Sequence, residues 1–155
     1  MKLLSILICT IPSRREMFES LLSEIQKQIF VSKYKSKVEI WHDDSPHITT
    51  GKKRNLLLEK ANGKFSVFID DDDLISEDYV VKIASCIEDN PKADCIGIKG
   101  IISFDGHNEK KWYISKDYQK WFEANGQYYR TPNHISPIRT DIAKKVRFPE
   151  INHGE

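Results

Sequence analysis

The sequence predicts an α/β fold: a mostly parallel sheet flanked by helices. Three observations carry this. Short apolar runs alternate with segments of helical spacing three times in the first half of the chain, the pattern of strands joined by crossover helices. The third run, Phe65-Ser-Val-Phe-Ile69, reads as a buried strand and empties into four consecutive aspartates, Asp70, Asp71, Asp72 and Asp73. The second run also ends in acid, at Asp43-Asp44, and the carboxyl edge of strands is where open α/β sheets bind ligands.

The 155 residues suffice for one domain with a real core, and no repeat, linker or low-complexity tract divides them. Charged residues make up 30% and hydrophobic ones 39%, an ordinary globular composition. Lys plus Arg number 24 against 23 Asp plus Glu, and no basic stripe with interleaved aromatics occurs, so no nucleic-acid partner is expected. Cys9, Cys86 and Cys95 form no CxxC pair and lie in apolar or helical surroundings, as reduced core residues of a cytoplasmic protein do. The apolar opening, Leu3 through Cys9, is too short to span a bilayer. It runs into Pro12 and Arg14-Arg15 rather than a cleavage site, and a first core strand fits it better than a signal peptide.

Residues 3–9 form strand one, and Thr10-Ile-Pro-Ser-Arg14 leaves it. In 15–29, Met17, Phe18, Leu21, Leu22, Ile25 and Ile29 are spaced for a helix with one buried face, and Ser13 with Glu16 reads as a capping box. Residues 38–41 form strand two. A helix is expected over 52–61, ended at Asn62-Gly63 by a left-handed glycine. Lys52, Lys53 and Arg54 in its first turn oppose the helix dipole and suggest a local anion, a solvated charge run being the alternative for the two lysines. Ser76 caps a helix over 77–90 with Tyr79, Val80, Ile83 and Ile87 inward. Short strands follow at 93–98 and 100–104, with Asp105-Gly106 as a turn. Between 110 and 129 the seven aromatics from Trp112 to Tyr129 read as core at helical spacing more readily than as an acceptor pocket. A loop, Thr131 to Pro137, and a short helix over 140–145 lead to Phe148-Pro149 and the terminal Asn152-His-Gly-Glu155.

Four carboxylates at a strand end repel one another unless a positive charge sits among them. A hard divalent cation with oxygen ligands is the usual answer, and such an ion commonly holds a phosphate as well. A plain acidic surface loop is the alternative. An EF-hand starting at Asp70 fails at Ile75 and Val81, where Gly and Glu are required. Gly51-Lys-Lys-Arg54 lacks the first Gly and the Ser/Thr of a P-loop. A receiver domain wants acids after strand one, where Thr10-Ile-Pro12 stands, and five scattered His with three apolar Cys give no zinc spacing.

The combination is more specific than its parts: a Thr-x-Pro exit from strand one, an Asp-Asp-Ser exit from strand two, a Gly-x-x-Arg-Asn helix start and an Asp-x-Asp-Asp exit from strand three. In these features the chain resembles the GT-A (Rossmann-like) nucleotide-sugar glycosyltransferases, within them the group called family 2. The resemblance is strong over 3–79, returns at 133–138 and 148–155, and is lacking over 99–130. It implies that Thr10 and Pro12 line the nucleoside, that Asp44 accepts from the base with Asp43 in support, and that Arg54 lies near the nucleotide. It implies that Asp70 and Asp72 are the two acids of the DXD motif, binding ribose and a Mn²⁺ or Mg²⁺ on the diphosphate. Asp71 and Asp73 are the neighbours most easily exchanged with them. His134 falls where related sequences face donor and acceptor with a histidine, although a lone loop His is more often a surface residue. The acceptor hydroxyl needs a carboxylate base, and Glu155 after Gly154 matches the first half of the family's Glu-Asp motif.

A single displacement of this kind inverts the anomeric centre. The chain stops inside that motif, so an incomplete catalytic domain is expected, one that binds its donor but transfers sugar poorly alone. The donor expected by family frequency is a UDP-sugar. The acceptor stays open between a glycan, a lipid-linked glycan reached by peripheral membrane association, a protein and a small molecule. Two rival readings are a non-catalytic nucleotide-sugar-binding domain and a nucleotidyltransferase. The latter wants a glycine-rich loop after strand one, which Ile11-Pro-Ser-Arg14 is not.

Overall fold

The structure, a computed structural model, describes residues 1–104 and 106–152. Its first sheet is built from β1 (Leu4–Cys9), β2 (Val38–Asp43), β3 (Phe65–Phe68) and β8 (Ile138–Arg139), in the order β2-β1-β3-β8. The first three strands are parallel, and β8 runs antiparallel on β3, pairing Ser66 with Ile138. This is the α/β sheet the alternation predicts.

The central strand explains the layering. Leu4, Ile6 and Ile8 of β1 face α1 (Arg15–Val31) and α3 (Tyr79–Asp89), packing with Phe18, Leu21, Ile25, Val80, Ile83 and Ile87. Leu7 points the other way, onto Leu57, Leu58 and Ala61 at α2 (Thr50–Lys60), with Phe68 and Phe148. An alternating strand apolar on both faces is what a covered parallel sheet needs. Met17, expected inward, is 54% exposed. Its place on the buried stripe of α1 goes to Gln28, which reaches across to α3.

Three expected caps are replaced by tertiary partners. Ser13 lies inside a 3-10 turn (Pro12–Arg14) and makes no capping bond to α1. Ser76 bonds the Asp78 carboxylate, while the Val80 N–H at the start of α3 donates to Gln28 Oε1 at 3.0 Å. No left-handed residue ends α2: the Asn62 N–H donates to Glu39 Oε1 at 2.7 Å, and the Gly63 N–H to Ser5 Oγ at 2.8 Å. Gly63 is required by closeness instead, since a Cβ there would stand 2.5 Å from Ser5 N and 2.8 Å from Phe65 O.

The strand expected at 100–104 is present, and residues 110–129 depart furthest from expectation. They form strands rather than aromatic core at helical spacing, in a second sheet of β4 (Ile98–Phe104), β5 (His107–Ile114), β6 (Phe122–Ala124) and β7 (Gln127–Arg130), in the order β4-β5-β7-β6. The aromatics are cross-strand partners, Trp112 opposite Tyr128 and Tyr113 opposite Tyr129, and Trp121 and Phe122 are exposed. Asn125 and Gly126 both take positive φ (52° and 70°) between β6 and β7, so Asn-Gly was the unread hairpin signal. The strand expected at 93–98 reduces to a single bridge, Cys95 with Ile138, before β4 begins. That bridge, the Ile96 N–H to Pro137 carbonyl bond at 2.9 Å and the Arg139 to Asp94 ion pair at 2.9 Å stitch together the two stems of the excursion. After it, α4 (Thr140–Ala143) is shorter than the 140–145 expected.

Candidate functional site

Register brings the polar strand ends together. Cys9 of β1 lies beside Asp43 at the end of β2, and the Ile69 N–H donates to the Leu7 carbonyl, so β3 delivers Asp70 at the same edge. Thr10, Asp43, Asp44 and the four aspartates therefore share the carboxyl edge of three parallel strands. A hollow of about 290 Å³ lined by Gly63, Lys64, Arg139, Thr140 and Asp141 opens at the opposite end of β3, away from all of them.

Asp70 is the hub. Its Oδ2 lies 3.2 Å from His134 Nε2 and its Oδ1 3.5 Å from Arg54 Nη2. Burial raises the carboxyl's pKa, but the His134 bond and the charges of His134, Arg54 and Arg14 outweigh it and hold it below the usual carboxylate range. His134 arrives from 64 residues away, placed by its own backbone: its carbonyl accepts from the Phe68 N–H at 3.1 Å. The turn behind it is fixed by the Ser136 N–H donating to the Asn133 carbonyl at 3.0 Å, with Ser136 buried. The His134 side chain lies beside Asp70 and is only 5% exposed.

The Lys-Lys-Arg cluster divides three ways. Lys52 is exposed. Lys53 is buried and donates to the Thr10 carbonyl, pinning the exit of β1. Arg54 is buried, its guanidinium 5.7 Å from the Phe68 ring centroid and 5.3 Å from that of Phe148, and its charge faces Asp70. The first N–H groups of α2 are occupied by the chain itself. Lys52 N donates to Thr49 Oγ1, Thr50 N to Asn152 Oδ1 and Gly51 N to the Ile151 carbonyl. The anion those basic residues suggested is answered, for Arg54, by Asp70 within the chain.

On the β2 side, Asp43 accepts from the Ser45 N–H at 2.9 Å. Burial raises its pKa, while that bond and the charges of Lys53 and Lys60 bring it down overall. Asp44 is exposed at the same edge, as is Pro12. Beside them the Cys9 thiol is pushed up to about 12 by burial, so it stays protonated and inert.

Arg14 is the residue sequence reading missed. Its Nη1 lies 3.1 Å from Asp71 Oδ1, and its Nη2 is in direct contact with Asp72 Oδ2. The positive charge expected among the aspartates is thus supplied in part by the chain, through Arg14, Arg54 and His134. Asp71 is 2% exposed, and its Oδ2 has no hydrogen-bond partner among the described residues. Asp73 donates its N–H to the Asp70 carbonyl, and its carboxyl is pushed up to about 6 by surrounding protein and by the charges of Asp70 and Asp72.

The donor chemistry suits a hard cation: carboxylate oxygens only, one of them buried without a partner. Among the described residues, however, no group of three or more His, Cys, Asp or Glu is gathered as ligands, and Asp72 is engaged by Arg14. Glu155 lies outside the described residues.

A family model described as glycosyl transferase family 2 matches residues 15–147. The chain belongs to that family. Comparison with curated proteins gives no match. Among solved structures, residues 1–349 of TarS from S. aureus share 19% identity with a TM-score of 0.56, over 97% of this chain and 51% of that one. The same segment in complex with UDP-GlcNAc gives 18% and 0.53, over 96% and 49%. TarS itself gives 20% and 0.55, over 97% and 31%. The fold is thus shared with TarS 1-349, of whose length this family 2 chain spans about half.

Proposed function

We propose that this chain is the donor-binding part of a glycosyltransferase that moves a sugar from a nucleotide-sugar to an acceptor hydroxyl, with inversion. The supporting observation is the convergence of Thr10, Asp43, Asp44, Arg54, Asp70 and His134 on one sheet edge. A UDP-sugar is the donor we favour, because TarS 1-349 was solved with UDP-GlcNAc and with UDP.

In this reading Thr10 and Pro12 flank the nucleoside, and Asp44, exposed at the end of β2, accepts from the base while Asp43 holds the turn. Asp70 takes the ribose hydroxyls, its ionised state secured by His134 and Arg54. Asp72 and Asp73, with Asp71 behind them, would hold Mn²⁺ or Mg²⁺, and that ion would supply Lewis-acid stabilisation of the departing diphosphate. Arg54 adds a fixed positive charge from a buried, ring-clamped position that needs no reorganisation. His134 faces the bond to be broken, and Glu155 is the carboxylate assigned to take the acceptor proton. The acceptor is a glycan, a lipid-linked glycan, a protein or a small molecule. Among the described residues no helix is long and apolar enough to cross a membrane, and a lipid-linked acceptor would be met by peripheral association. Free thiols at Cys9, Cys86 and Cys95 support a cytoplasmic setting.

The test is thermal stabilisation by nucleoside diphosphates with and without Mn²⁺, followed by an assay for loss of UDP-GlcNAc. Stabilisation by UDP that grows with Mn²⁺ is expected. Its absence for every nucleotide overturns the reading. Turnover of the donor excludes the non-catalytic sugar-nucleotide-binding reading.

A further inference from the structure

Arg14 spans two consecutive carboxylates that differ in kind. Asp71 is buried, its side chain 2% exposed, whereas the Asp72 side chain is 52% exposed and that of Arg14 is 39% exposed. An ionised carboxylate in a buried position is costly unless a cation answers it. The guanidinium comes from the last residue of the 3-10 turn that leaves β1, so it is held to the same sheet edge by its backbone, whose N–H donates to the Ile11 carbonyl at 2.9 Å. Its fork also matches phosphate oxygens as well as it matches carboxylates. The side chain is therefore anchored at its base, accessible at its tip and suited to either of two anions.

We propose that Arg14 is an internal counter-ion that occupies Asp72 until a divalent cation arrives, and that on leaving it turns to the diphosphate the cation brings. This rests on the donor site proposed above, where cation and diphosphate already meet, and adds a second source of coupling between them, through Arg14. Cation and nucleoside diphosphate cannot bind independently. The cation must displace Arg14 from Asp72, and the diphosphate compensates by giving Arg14 a new partner. Each ligand then tightens the other by the same factor. Asp71 keeps Nη1 throughout, which prevents a buried charge from being stranded during the exchange.

The experiment measures Mn²⁺ binding from the loss of the free-ion electron paramagnetic resonance signal, with and without UDP, in the unaltered chain and in Arg14→Gln. The unaltered chain should bind Mn²⁺ weakly alone, and about tenfold or more tightly with UDP, within the usual range of coupling between two sites. Arg14→Gln should bind Mn²⁺ alone about tenfold more tightly than the unaltered chain and gain less from UDP, keeping only what the direct meeting of cation and diphosphate supplies. Arg14→Lys keeps the charge without the fork and should fall between the two, which preserves the test if the glutamine variant does not fold. Equal Mn²⁺ affinity in all three proteins, with UDP binding intact, overturns the role of Arg14 and leaves the donor site standing. No Mn²⁺ binding in any of them, even with UDP, overturns the cation reading of the site and this inference with it.

Discussion

Asn55 holds Phe148 by both edges of its amide: Nδ2 donates to the Phe148 carbonyl at 3.0 Å, and Oδ1 accepts from the Phe148 N–H at 2.9 Å. A residue of α2 thus fixes a backbone position 93 residues away, and that position carries a ring that packs on Phe68 and on the Arg54 guanidinium. The Arg-Asn pair of the sequence works as one unit, Arg54 carrying the charge and Asn55 seating the ring that steadies it.

Asn55→Ala is therefore expected to lower stability by about 2 kcal/mol, since it strands two backbone groups of Phe148. Urea denaturation checks it. Asn55→Asp keeps the acceptor but sets a buried carboxylate against the Phe148 carbonyl, and should cost at least as much.

Glu39 gives the exit of α2 a pH dependence. Burial raises its carboxyl's pKa, but the Ser5 hydroxyl at 2.6 Å and the Asn62 N–H at 2.7 Å outweigh burial and bring it below the ordinary 4.5. A carboxyl depressed in the folded state adds stability that is complete above that ordinary value and is lost as pH falls through the folded one. The stability gap between the unaltered chain and Glu39→Gln should be widest near neutrality and should close below pH 4.5. A gap constant from pH 7 to pH 3 would show that the ionised form is not what matters.

Gly63→Ala places a methyl against the backbone of β1 and β3, where neither strand has room to yield. A loss of about 2 kcal/mol is expected, in the range of overpacked sites. Thermal or urea unfolding reads it directly.

Asp70→Asn removes the charge that Arg54 and His134 both face. Under the proposed reading, UDP affinity should fall by about tenfold or more, the worth of one charge-assisted bond. Its carboxylate is half exposed, so the circular dichroism spectrum should not change. Calorimetric titration with an unaltered dissociation constant would count against Asp70 as a nucleotide ligand.

What the sequence made legible was whatever local pattern decides. The apolar runs named the three parallel strands, and the acidic exits named the edge where they end, because a buried strand and its polar terminus are written in adjacent residues. What it hid depends on partners distant in the chain. Ser13, Ser76 and Asn62-Gly63 have the composition of caps, but Gln28, Glu39 and Ser5 bond the backbone groups around α2 and α3 first. Arg14 gave no signal at all, since nothing near it in sequence says that Asp71 and Asp72 stand opposite. The second sheet beyond β4 was misread for a different reason. Its aromatics fit helical spacing as well as alternation, and only Asn125-Gly126 separated the two.

The stitched stems at 94–96 and 137–139 have a consequence for how such a chain diversifies. The second sheet, 98–130, is entered and left at one doorway, closed by the Cys95–Ile138 bridge and the Asp94–Arg139 ion pair, and the returning chain carries His134 back to Asp70. Lengthening a loop between fixed ends costs only about 0.6 kcal/mol per doubling. The intervening aromatic sheet is thus a cassette: it can be exchanged wholesale while the doorway, and the aspartates beyond it, stay as they are.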